Sequence, residues 1–128
     1  VKKGKLPMEQ AVDNWQLYYV LTQELLKFID KQDIDEFLGL VGQRNIVIDR
    51  MKALPETELY RQTEACKTLV EKIRPLDLQI IYKAKSWLNR SRHQNATVRA
   101  HQEIDVLAIA GRQLVIYLNT RHGTFLYG

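Results

Sequence analysis

The chain has 128 residues, 45% of them hydrophobic, with a net charge of +4 and a single cysteine. That is enough for one domain with a modest core and too apolar for global disorder. It leaves no intramolecular disulfide, so a reducing compartment is expected, and without a run of about 18 apolar residues no membrane span is expected.

Residues 1–7 (VKKGKLP) are basic and lack the apolar region of a signal peptide, so they read as a loose N-terminal tail. A first helix is expected from about Glu9 to Lys31. Val12, Trp15, Tyr19, Thr22, Leu26 and Ile29 follow a 3–4 spacing, and Tyr18, Leu21, Leu25 and Phe28 form a second stripe beside it. An apolar face this wide must touch at least two other helices, or one helix and a ligand. Trp15, Tyr18 and Tyr19 read as core.

The segment Leu25 to Met51 turns the chain back on itself at Lys31-Gln32-Asp33, giving an antiparallel helical hairpin. A second helix is expected from about Asp33 to Leu54. Asp33 is a natural N-cap, Glu36 stands three residues on, and Asp35 adds to the acidic first turn. Its stripe is Ile34, Phe37, Leu38, Val41, Ile48 and Met51, interrupted by Asn45. Gly39 and Gly42 each cost about 1 kcal/mol relative to Ala inside a helix. They imply either close approach of another backbone or simply a weak helix. Pro55 disfavours a helical Leu54 and ends the segment.

A third helix is expected from Pro55-Glu56, carrying Leu59, Cys66, Leu69, Val70, Ile73, Leu76, Ile80, Ala84, Trp87 and Leu88 in one phase. The phase continues across Pro75. The expectation is one long helix kinked there, or two helices with a tight break at the same point. Asn89 to Thr97 is the most polar stretch and the expected site of a bend or frayed turn. A fourth helix is expected from about Val98 to Asn119, with Gln113–Tyr117 as an alternative strand because of its β-branched run. Residues 120–128 read as a flexible C-terminal tail. The fold class is thus all-α: a helical hairpin extended to a three- or four-helix bundle within one domain, 1–128.

No cluster with catalytic or metal-ligand spacing is present. His93, His101 and His122 lack an HExxH or CxxC context, and the acidic turn at Asp30–Glu36 lacks a calcium-loop pattern. Cys66 lies on an apolar stripe and reads as a buried structural thiol. No enzyme activity and no cofactor are expected. Charge is divided unevenly: residues 1–64 hold 9 Lys/Arg and 11 Asp/Glu, net −2, whereas residues 65–128 hold 10 and 4, net +6. No acidic residue lies between Asp77 and Glu103. Lys83, Lys85, Arg90, Arg92 and Arg99 mark a basic patch that suits phosphates or an acidic partner. A nucleic-acid-binding or regulatory helical module is therefore the alternative reading. The patch is sparser than nucleic-acid binders usually carry, and a solvated helix face explains it as well.

Two passages carry a resemblance. Phe37 to Arg50 (FLGLVGQRNIVIDR) is similar to a signature of an apolar residue, an arginine and a following apolar pair on a second helix, with Arg44 as the arginine. Ile73-Arg74-Pro75-Leu76-Asp77-Leu78-Gln79-Ile80 is similar to an "Ile-x-x-Leu-Asp-x-x-Ile" passage on a long third helix. With the aromatic-rich first helix and the acidic turn, they make residues 10–92 resemble the small flagellar secretion chaperones. The resemblance is to the FliT family in particular, with the FlgN-type chaperones as the nearest variant. Gln43 stands where that family usually has an acidic residue before the arginine, and Pro75 interrupts the third helix.

The resemblance implies a non-catalytic, cytoplasmic chaperone of the flagellar type III export system. Its client would be the amphipathic C-terminal helix of a filament-cap or hook-associated protein, held in an apolar groove to prevent premature assembly. Export-apparatus components are further implied partners; independently of the resemblance, the wide apolar face is compatible with a homodimer. The expected groove residues are Phe37, Val41, Ile48, Leu69, Ile73, Leu76 and Ile80, with Arg44 as an interfacial donor or a surface charge. Ile104, Leu107 and Ile109 would belong to a helix that masks the groove.

Overall fold

The computed structural model describes residues 4–94. They form four helices and no strand: α1 (Pro7–Asp30), α2 (Ile34–Ala53), α3 (Glu56–Arg61) and α4 (Glu64–Gln94). The all-α class and the hairpin are as the sequence implies. None of these helices is long and apolar enough to cross a membrane. The expected fourth helix, its alternative strand and the C-terminal tail lie outside the described residues.

Each boundary has a local cause. Pro7 occupies the first position of α1, where its missing N–H costs nothing. Glu9 reaches back to accept the Leu6 N–H at 3.3 Å. Lys5 pairs with Asp13, and the Lys5 carbonyl accepts from the Gln10 side chain at 2.9 Å, so the end of the tail is tied to α1. At the other end the Asp33 N–H bonds to the Phe28 carbonyl and the Gln32 N–H to the Ile29 carbonyl, both at 3.0 Å. This is a Schellman closure, and it places Gln32 at φ 58°, the left-handed conformation such a closure requires. Asp33 then caps α2, accepting the Glu36 N–H at 3.2 Å. Leu54 is extended ahead of Pro55, as sterics before proline demand.

The hairpin tip sets the topology. Asp30, at the end of α1, pairs with Lys83 of α4 at 2.8 Å, while Tyr18, farther back on α1, bonds to Asp77. The two contacts advance together, so α4 runs parallel to α1 and antiparallel to α2. The result is an up-down-up bundle. α1 is the central helix, packed against α2, α3 and α4, which accounts for its wide apolar face. Trp15, Tyr18, Leu21, Leu25 and Ile29 meet Phe37, Val41, Val47, Ile48 and Met51 from α2 and Cys66, Ile73, Ile80, Ala84 and Leu88 from α4.

The third segment departs from expectation. The break falls at Gln62-Thr63, and α4 runs unbroken through Pro75. Thr63 explains the break, because its hydroxyl caps α4 by accepting the Cys66 N–H at 3.2 Å. Pro75 points to solvent, and its neighbours Ile73 and Asp77 are held in the core on either side, so packing outweighs the one lost backbone bond. Leu59, expected on the buried stripe, is exposed, because α3 is a separate short helix with its own phase. The bend expected from Asn89 does not occur before Gln94. Asn89 and Arg90 continue the helix as exposed residues.

Candidate functional site

The most unusual chemistry in the described residues is a buried ionic network joining three helices. Arg44 of α2 is 1% exposed and Asp77 of α4 is 0% exposed. One guanidinium nitrogen, Nη1, donates to Asp77 Oδ1 at 2.8 Å and to Thr22 Oγ1 at 2.7 Å. The Thr22 hydroxyl in turn donates to the Tyr18 carbonyl at 2.7 Å. The Tyr18 phenol donates to the second carboxylate oxygen, Oδ2, at 3.1 Å, and its ring lies under the guanidinium, 4.8 Å from Arg44 Cζ. Both carboxylate oxygens are engaged and the cation is covered by an aromatic face, which is what a buried ion pair needs to offset its desolvation.

This network fixes geometry and does no reaction chemistry. Its atoms are closed to solvent, and neither an arginine nor a fully bonded carboxylate offers a reachable proton or nucleophile. It keys the two arms of the fold together: α2 and α4 meet through this long arginine more than through close backbone packing.

The expected groove residues occupy the same core. Phe37, Val41, Arg44, Ile48, Ile73 and Ile80 are buried, while Leu69 and Leu76 are half-buried. The reason is α1, whose broad face lies against both α2 and α4, so these eight residues do not line an open groove in this conformation. Ile104, Leu107 and Ile109 lie outside the described residues. In the basic patch, Lys83 is taken up by Asp30, Lys85 and Arg90 are exposed, and Arg99 and the Arg92 side chain lie outside the described set.

Cys66 is buried near the start of α4, and burial pushes its thiol up to about 12. Such a thiol is not a nucleophile at neutral pH. One open concavity of about 490 Å³ lies between α1 and the end of α2, lined by Gln10, Asp13, Asn14, Leu17, Arg50 and Leu54 among others. Large apolar side chains also reach solvent: Leu17 and Val20 on α1, Ile46 on α2, and Leu78 and Tyr82 on α4.

Sequence reasoning missed the pairing of Arg44 with Asp77. The signal was present. Arg44 falls three residues after Val41 and four before Ile48, and Asp77 falls four after Ile73 and three before Ile80. Opposite charges thus sit on the apolar stripes of two helices. Comparison with models of known protein families, with curated proteins and with solved structures finds no match.

Proposed function

We infer that this protein is a non-catalytic helical binding protein that acts as a flagellar export chaperone, shielding the amphipathic C-terminal helix of a filament-cap or hook-associated protein in the cytoplasm. One observation carries the reading. The two passages that resemble the chaperone family, one on α2 and one on α4, supply Arg44 and Asp77, and these two side chains meet at 2.8 Å in the core. Residues 33 positions apart that look like separate motifs are therefore parts of one structural device. That supports a shared architecture of hairpin plus long helix. The partner class is carried over from the resemblance.

The chemistry of the task agrees with the fold. An unassembled cap or junction protein exposes an apolar helix, and a helical bundle with apolar side chains at its surface hides such a helix by side-by-side packing. The decisive experiment is calorimetric titration of the full chain with the C-terminal segment of a filament-cap protein and, separately, of a hook-associated protein. Saturable micromolar binding is expected for one of them. No binding of either at tens of micromolar would remove the export reading.

A further inference from the structure

We propose that Leu78 and Tyr82 of α4 form the docking ridge for a partner helix that carries acidic residues beside its apolar anchors. Leu78 is 56% exposed and Tyr82 is 72% exposed, the latter the largest exposure of any large apolar or aromatic side chain among the described residues. Four residues apart, they stand side by side on one face of the helix. The opposite face, with Asp77, Ile80 and Ala84, is locked into the core, so the ridge is held rigidly outward. Ile81, half-buried, extends its apolar area toward the bundle.

Charge selects the partner. Lys85 lies three residues beyond Tyr82 and seven beyond Leu78, on the same face of α4, and Arg90 follows a further turn along the helix. Both are exposed, and neither forms an ion pair among the described residues, whereas the nearby Lys83 is already neutralised by Asp30 at 2.8 Å. From Leu78 to Gln94 the helix has no acidic residue. An apolar pair bordered on one side by unopposed cations complements a helix with apolar anchors and flanking Asp or Glu. A helix fits better than a strand, because α4 offers no free backbone edge and its side-chain rows accept the rows of another helix. A solvent-facing tyrosine on a rigid element is well suited to anchor such a contact.

The inference rests on the protein-binding reading above and specifies its surface and partner chemistry. The full chain is titrated with the filament-cap segment, with a designed amphipathic helix carrying Leu anchors and Glu flanks, with its twin carrying Lys in place of Glu, and with a single-stranded DNA oligonucleotide. Tyr82→Ala, Leu78→Ser and Lys85→Glu are compared with Val20→Ser, an exposed apolar position on α1, after thermal melts establish that each is folded. The Glu helix is expected to bind about tenfold more tightly than its Lys twin, and Tyr82→Ala or Leu78→Ser to weaken it about tenfold, with Val20→Ser neutral. Lys85→Glu is expected to weaken binding and flatten its salt dependence.

Equal binding of the two helices, or an unchanged affinity in Tyr82→Ala, would overturn the proposal. So would Tyr82-dependent binding of the oligonucleotide in place of the helix, or a self-associated dimer that dissociates in Tyr82→Ala. If the cap segment binds with an affinity indifferent to Tyr82, the ridge is wrong and the export reading stands. If the cap segment fails and the Glu helix binds through Tyr82, the export reading falls and the ridge stands.

Discussion

Arg44 and Asp77 meet at 2.8 Å in a part of the core where neither side chain touches water, with Tyr18 and Thr22 completing the bonding of both. The pair binds the second helix to the last, and its energetics are those of a closed unit. Asp77→Ala or Arg44→Ala leaves a buried charge alone and is expected to cost about 3–5 kcal/mol in urea denaturation. Arg44→Ala combined with Asp77→Ala is expected to cost much less than the sum of the two single changes, because it removes both charges together. Additive costs in this double-mutant cycle would mean that the two groups are not coupled.

Burial of Cys66 makes a prediction about pH. Its thiol is raised from an ordinary value of 9.0 to about 12. Below pH 9 the thiol is protonated in both folded and unfolded chains, so its contribution to stability is constant. Between pH 9 and about 12 the unfolded chain loses this proton and the folded chain keeps it, so stability falls as pH rises. Chemical denaturation at intervals from pH 8 to 11 is expected to show a fall that is shallower in Cys66→Ala. Iodoacetamide at pH 8 is expected to label the unfolded protein quickly and the native protein slowly; equal rates would place the thiol at the surface.

The glycines of α2 offer the opposite kind of change. A Cβ at Gly39 or Gly42 would meet nothing within 4 Å, and both positions are exposed in the middle of the helix. No part of the described bundle needs them to be small. Gly39→Ala and Gly42→Ala are each expected to stabilise by about 0.5–1 kcal/mol, through lower backbone entropy in the unfolded chain. A destabilisation in thermal melts would show that something outside the described residues rests on this face.

Two caps carry more weight than their size suggests. Asp33→Ala and Thr63→Ala are each expected to cost about 0.5–2 kcal/mol in denaturation experiments, since each removes the side-chain acceptor for a first-turn N–H. A cost near zero for Thr63→Ala would mean that the boundary between α3 and α4 is set by packing alone.

The hairpin was legible because its signals are local. A cap residue, a short turn and two stripes with helical spacing all fall within 27 residues, Leu25 to Met51. The continuous phase across Pro75 was legible, and the break at Gln62-Thr63 was not, because a proline's cost depends on what surrounds it. A helix held by Ile73 and Asp77 absorbs the missing bond, whereas the hydroxyl of Thr63 starts a new helix at a site with no proline near it. The expected groove was read from apolar spacing, which identifies a face that must be covered and does not say by what; here α1 covers it. The ion pair was the hardest to see. Its two members lie on different helices, and only the arrangement in space reveals that their faces meet.

The same separation along the chain has a consequence during synthesis. Asp77 follows Arg44 by 33 residues, so it leaves the ribosome roughly two to seven seconds later at about 5–20 residues per second. In that interval the α1–α2 hairpin has both arms but no α4. The seam that will later be closed carries a hydrated arginine among its apolar residues. A nascent hairpin with a cation at its open edge is better wetted than one with a leucine there. The charge that is costly to bury at the end is thus solvated until Asp77 arrives to take it up.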